Sequence, residues 1–397
     1  MIFDQQYWYS PHAIRDRCRR VFDLALAGSL PEWTCDLRAM PDVLDVVLTV
    51  TARDYPEGEI PFHSRWRHLP TISWPFADPL TQLRAAFDLV VVSVLLDAGA
   101  GPRWQFRDPE SGQVWRRSEG LALASWQCFQ AGLFSADPDD PLRVDAEALQ
   151  HLSLDALAVG FQVTEANPLL GLEGRWGLLR QLGTVLASHH LFQHQGSRAR
   201  AGHLADFLLT QAVAGQLSAV AVLQAVLAGL GPIWPGRLHL DGHNLGDVWV
   251  YPGLVDNGDP GWVPFHKLSQ WLTYSLLEPL QAYGLTITDL SALTGLAEYR
   301  NGGLFVDGGV LQPRDPQVFE HTHTVGSPLI VSWRALTITL LDELALLMRQ
   351  RLNQDADTLP LVKVLQGGTW TAGRELAQQR RPGGPPPLLI DSDGTVF

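Results

Sequence analysis

Lysine is almost missing from this chain: of 29 Lys and Arg residues only Lys267 and Lys363 are lysines. A position that keeps an ammonium marks a place to look, because lysine is a compact charge with a tunable pKa while arginine is forked and always charged. Cysteine is scarce too. Cys18, Cys35 and Cys128 lie far apart with no Cys-x-x-Cys, which argues against a disulfide framework or thiolate metal site and makes each a small buried filler. No apolar run approaches the roughly 20 residues of a spanning helix. The start, Met1-Ile2-Phe3-Asp4-Gln5-Gln6, lacks a basic stretch followed by an apolar one, so no secretory leader is expected and the cytoplasm is the expected location. The net charge of −13 argues against binding nucleic-acid backbones or anionic membranes unaided. Gly-x-Gly-x-x-Gly, the Gly-x4-Gly-Lys-Ser/Thr loop and Gly-x-Ser-x-Gly are all absent. Neither a cofactor nor a metal is expected: His239/His243, His321/His323 and His63/His68 lack a carboxylate at ligand spacing.

What is present reads as mainly α with small β-hairpins. Ser10-Pro11 opens a helix as cap and first residue, with Ile14, Cys18, Val21, Phe22 and Ala25 on its apolar face and Gly28 at its end. Periodicity predicts further helices over 40–53, 79–97, 118–131, 145–158, 173–188, 202–214, 217–230, 265–283, 289–295 and 332–352. Residues 104–116 read as a hairpin turning at Pro109, and 237–251 as a second small hairpin. With no repeat, charge block or long linker, 1–397 is expected to be one large, mostly helical domain, with lobes at 1–230 and 231–397.

Three places carry candidate chemistry. Phe62-His63-Ser64-Arg65-Trp66-Arg67-His68 crowds arginines, histidines and aromatics together, either as a grip on phosphate or carboxylate or as a structural ion-pair knot. Lys267 shares a helix face with Trp271 and Tyr274 at i, i+4 and i+7; the alternative is a lysine lying over core aromatics. Glu298 is followed by Tyr299-Arg300-Asn301 and by Gly302-Gly303, a pair able to turn tightly against a ligand. Alone, Glu298 would be a helix-end ion pair. Asp391 and Asp393 crowd polar groups into a tail that ends Val396-Phe397.

These motifs carry a resemblance. Ile60 to His68, Arg117-Ser118-Glu119-Gly120, Asn167 to Arg175, Gly231-Pro232-Ile233-Trp234-Pro235, Asn244 to Trp249, Val263 to Ser275, Glu298 to Gly303 and Ser392 to Phe397 resemble the uracil catabolism protein 4 family, over nearly the whole chain. Phe265-His266-Lys267-Leu268-Ser269-Gln270 and Leu296-Ala297-Glu298-Tyr299-Arg300 are more distantly similar to the queuosine salvage proteins. Those are helical, related in fold to DNA glycosylases, and hydrolyse the N-glycosidic bond of a nucleoside 5′-monophosphate. The second resemblance implies a helical, DNA-glycosylase-like core and places that family's lysine and aspartate on Lys267 and Glu298. Glutamate at 298 is a departure by one methylene.

Together the resemblances imply an N-ribohydrolase of pyrimidine catabolism, acting on a ribosylurea-type or pyrimidine-derived nucleoside 5′-monophosphate. Glu298 would steady the developing C1′ cation or activate water. Lys267 would hold phosphate or ribose hydroxyls or polarise the leaving group, and His266 or Asp393 would protonate the departing nitrogen. Arg65, Arg67 and Arg300 are the phosphate candidates, Trp271 and Trp249 the stacking candidates, and His63, Tyr274 and Asn301 further contacts. The expected partner is a small nucleotide, with neither nucleic acid nor membrane; a homo-oligomer is not excluded. The competing readings are a non-catalytic binding or scaffold component and an amidohydrolase acting on a ureido group.

Overall fold

Helix-forming segments with side-chain caps dominate the computed structural model, which describes residues 4–194, 196–234, 236–256 and 258–391. Ser10 caps Pro11–Leu26 through the Ala13 N–H, and Asp78 caps Pro79–Leu95 through the Thr81 N–H, each satisfying a donor that the first helical turn leaves open. The mainly helical expectation holds. Among the described residues no helix is long and apolar enough to cross a membrane.

The chain divides into two interleaved compact units. The first takes Met1–His63, Arg237–Gln270 and Asp289–Ser392. At its centre runs Pro328–Leu352, a helix buried along most of its length. Pro11–Leu26, Met40–Asp54, Tyr299–Asp307 and the strand Val248–Asp256 pack around it. Trp33 and Trp333 stack with centroids 6.4 Å apart, and both are buried. Arg17, itself buried, forks onto Asp259 at 2.6 and 2.7 Å, which ties the first helix to the strand Asp259–Pro264.

The second unit takes Ser64–Gly236 and Trp271–Thr288. Its centre is Pro79–Leu95, buried from Ala85 onward and flanked by Arg117–Gln130, Leu172–Ser188 and His203–Gln211. Asp88 on that helix is fully buried and accepts from Arg200 Nε at 2.8 Å. A carboxylate so placed needs such a partner, since an unpaired buried charge is costly.

Several elements depart from the periodicity. The helix expected over 145–158 is two, Ala146–His151 and Leu154–Gly160, because Ser153 caps the second and interrupts the first. Residues 216–218 form a strand before the helix Ala219–Leu230 begins, and 289–295 holds only the 3-10 turn Leu290–Ala292. The 104–116 hairpin forms, Phe106 facing Trp115. The 237–251 hairpin does not form as one unit: His239–Leu240 pairs with His243–Asn244, and Val248–Asp256 pairs with Asp259–Pro264. Among the described residues three sheets are not hairpins at all: Gln216–Ser218 with Thr286–Thr288 and Thr322–Thr324 with Leu389–Asp391 are parallel pairs of distant segments, and Trp33–Cys35 pairs antiparallel with Leu311–Pro313. Gly302 and Gly303 make no turn. They sit inside the helix Tyr299–Asp307, where a Cβ on Gly302 would stand 2.7 Å from the Trp333 ring, so glycine there permits close helix packing.

Candidate functional site

Glu298 sits at the N-cap of Tyr299–Asp307, and its carboxylate accepts the Arg300 N–H at 2.8 Å and the Asn301 N–H at 2.5 Å. The residue is only 7% exposed. Burial pushes its carboxyl above the ordinary carboxylate range; the Arg300 N–H, the Lys267 charge, the Asn301 N–H and the Arg300 charge pull against that. Lys267 is also buried, at 9% exposed. The amine singled out by rarity and the acid singled out by its flanking motif thus interact within the first unit.

Lys267 starts the helix Lys267–Tyr283, and its backbone N–H donates to Asp247 Oδ2 at 3.0 Å. Asp247 also accepts the Trp249 indole N–H at 2.7 Å. Both its oxygens take the Arg334 guanidinium, at 2.8 and 2.7 Å. Burial opposes ionisation of Asp247, but the Arg334 charge and these hydrogen bonds override it and hold the carboxyl far below the usual range. Arg334 lies over the Phe265 ring at 4.1 Å and donates through Nε to the Ala297 carbonyl at 3.3 Å. One buried arginine therefore clasps both the segment leading into Lys267 and the residue before Glu298. A bidentate pair of this kind fixes geometry as well as charge.

Gln270, one turn beyond Lys267, is fully buried. Its Nε2 donates to Thr294 Oγ1 at 3.0 Å, and its Oε1 has no partner among the described residues. A buried acceptor without a donor is costly, and here it stands on the helix that Lys267 starts. Gln270 and Arg334 were both missed in the sequence. Gln270 stands inside the Phe265–Gln270 motif, and Arg334 is a charge set in the apolar run of Pro328–Leu352, a signal visible without coordinates.

The other candidates fall in different places. His266 adopts φ +48°, and its buried ring places Nε2 2.8 Å from the Trp8 carbonyl. That partner requires Nε2 to carry the proton, so the ring serves as an anchor beside Lys267. Burial pushes its pKa down. Asn301 is engaged at both ends of its amide: Nδ2 donates to the Leu296 carbonyl at 3.3 Å and Oδ1 accepts from Thr369 at 2.9 Å. Arg300 donates to the Gly384 carbonyl at 2.8 Å and lies over the Tyr299 ring. Trp249 carries Arg237 over its ring at 4.8 Å. His63 Nδ1 pairs with Gln366 Oε1 at 3.0 Å. Asp393 lies outside the described residues.

Arg65, Arg67, Trp271 and Tyr274 belong to the second unit. Arg65 is fully buried and spends its guanidinium on Asp97 at 3.1 Å, Ser93 at 2.7 Å and the Ser118 carbonyl at 3.2 Å, with the Trp271 ring at 5.6 Å. These contacts fit the ion-pair alternative, and Nη2 stays unpartnered among the described residues. Arg67 instead reaches the surface and pairs with Glu278 at 2.5 Å. Tyr274 is fully buried and Trp271 nearly so. Among the described residues no group of three or more His, Cys, Asp or Glu is placed to hold a metal ion.

Fold and site together define a mainly helical protein with an acid and an amine buried in one unit. The chain belongs to the family described as "Protein of unknown function (DUF1688)", whose model matches residues 7–397. Protein urg3 of Schizosaccharomyces pombe is 40% identical over 401 residues, covering 97% of this chain and 96% of that protein. Uracil catabolism protein 4 of Lachancea kluyveri is 38% identical over 436 residues, covering 98% of each.

Proposed function

We propose that this protein acts in uracil catabolism as an N-ribohydrolase, cleaving the N-glycosidic bond of a ribosylurea-type or pyrimidine-derived nucleoside 5′-monophosphate. The name of the Lachancea kluyveri relative, uracil catabolism protein 4, supports the pathway. The observation that carries the chemistry is the buried Glu298 carboxyl under the influence of the Lys267 charge. Glycosidic cleavage builds positive charge at C1′ as the C1′–N bond lengthens, and a preorganised carboxylate in a site of low dielectric stabilises such charge strongly.

Glu298 is held for that role by two backbone N–H groups, which fix its position. In the bound complex the carboxylate faces C1′, the C1′–N bond breaks as the oxygen of water bonds C1′, and the proton that the water gives up ends on the departing nitrogen. Lys267 supplies a hydrogen-bond donor and positive charge to the ribose, the phosphate or the leaving group. The unpartnered Gln270 Oε1 accepts from a ribose hydroxyl or a ureido N–H. Asp247, Arg334 and His266 keep the segments around Lys267 and Glu298 in place and do not touch the reacting atoms.

The test is to incubate the purified chain with ribosylurea 5′-phosphate and with UMP and to follow free ribose 5-phosphate. Release of ribose phosphate with urea or uracil supports the hydrolase. Binding without turnover supports a scaffold component, and free ammonia supports a ureido amidohydrolase.

A further inference from the structure

A cavity of about 500 Å³ lies in the second unit, outside the Lys267–Glu298 site. That volume falls in the range of small-ligand sites. Trp66, Trp74 and Tyr283 contribute rings to its wall, and Arg67 and Glu278 are the charged side chains in its lining.

The wall is rigid. Trp74 rides on a segment bracketed by Pro70 and Pro75, stacks on Phe76 at 6.5 Å and meets Trp126 edge-on at 6.3 Å. Gln82 Nε2 bonds the Phe76 carbonyl at 2.6 Å and so fastens that segment to the helix Pro79–Leu95. The Trp66 indole N–H donates to the Ser275 carbonyl at 2.8 Å, which sets its ring plane.

The polar side of the wall is equally defined. Glu278 accepts from Ser64 Oγ and, through its other oxygen, from Arg67. The Arg67 and Glu278 side chains are 29% and 26% exposed, so both can still reach a guest. Their charges cancel, and the cavity offers no net attraction to an ion. A guanidinium beside a carboxylate presents donors next to an acceptor, the complement of a C=O next to an N–H. Aromatic faces favour a flat guest.

We propose that this cavity binds a neutral planar heterocycle with adjacent C=O and N–H groups, of the nucleobase class, stacked among Trp66, Trp74 and Tyr283 and paired with Arg67 and Glu278. The inference rests on the second unit alone and is independent of the hydrolase reading.

The experiment uses uracil as probe and orotate, the same ring bearing a carboxylate, as the charged comparison. Isothermal titration and saturation-transfer NMR are run on the full chain and on Trp74→Leu and Tyr283→Leu, each checked for a native melting transition. Saturable uracil binding is expected, weakened about tenfold or more by Trp74→Leu, the scale of losing one stacked ring. Tyr283→Leu, at an exposed position, should weaken binding in the same direction and secures the test if Trp74→Leu does not fold. No saturable binding, orotate binding as tightly as uracil, or uracil binding unchanged in both folded ring variants would each overturn the proposal.

Discussion

Arg334 joins Asp247 through both carboxylate oxygens, at 2.8 and 2.7 Å, and the same guanidinium donates to the carbonyl of Ala297, the residue before Glu298. Asp247 in turn accepts the backbone N–H of Lys267. A buried ion pair is weak evidence for stability by itself, but breaking one leaves an uncompensated charge inside the protein. Its value here is registry, since two chain segments 30 residues apart are fixed relative to each other.

Arg334→Leu should therefore cost about 3–5 kcal/mol, the range for removing one partner of a buried pair. Denaturant unfolding measures it. Arg334→Lys retains the charge without the fork and should keep the fold while lowering kcat more than it changes KM. An unchanged kcat in a folded Arg334→Lys protein would reduce Arg334 to a stability role.

The pH dependence of stability has a definite sign at Asp247. Its folded pKa lies below the ordinary 3.8, so its contribution is complete above that value and is lost as pH falls below it toward the folded pKa. The difference in unfolding free energy between the native chain and Asp247→Asn should be greatest near neutral pH and shrink below about 4. A difference constant from neutral to acid would mean that Asp247 contributes no ionised-state stability.

Activity should carry the opposite signature at Glu298. Its folded pKa is raised above 4.5 by burial, and the proposed chemistry needs the ionised form. The pH profile of kcat/KM should rise with pH through an inflection above 4.5. A profile already flat at that value would remove Glu298 from the ionised role.

Two glycine substitutions should move stability in opposite directions. Gly302→Ala places a methyl 2.7 Å from the Trp333 ring and 2.9 Å from Thr337 Oγ1, and overpacking of this kind costs about 1–3 kcal/mol. Gly177 is an exposed position inside Leu172–Ser188 with nothing within 4 Å of a new Cβ. Gly177→Ala should stabilise the chain by about 0.5–1 kcal/mol. Paired thermal melts decide both.

Local signals in the chain were reliable where the physics is local. Ser10-Pro11 and the apolar spacing after it place the helix Pro11–Leu26 correctly, and the mostly apolar segment after Pro79 marks the buried centre of the second unit. Partner choice was not legible. Val248–Asp256 pairs forward with Asp259–Pro264 rather than back toward His239, because the turn that decides the pairing lies after the strand. The helix Tyr299–Asp307 was hidden by Gly302-Gly303, whose freedom to turn is overridden by packing on Trp333. Trp370–Arg380, polar along much of its surface, was missed as well. Within the site, Lys267 and Glu298 stood out through rarity and motif. Arg334 did not, because its role depends on a contact with Asp247 made 87 residues away in the chain.

The most direct measurement is a double-mutant cycle on hydrolysis of ribosylurea 5′-phosphate with Lys267→Met, Glu298→Gln and the double variant. Each single change should lower kcat/KM by about 10²–10⁴-fold, the scale of a positioned acid–base group. The double variant should be little worse than the poorer single, since residues acting as a unit are not additive. Fully additive losses, or a Glu298→Gln protein that keeps the native rate, would contradict a shared site built on Lys267 and Glu298.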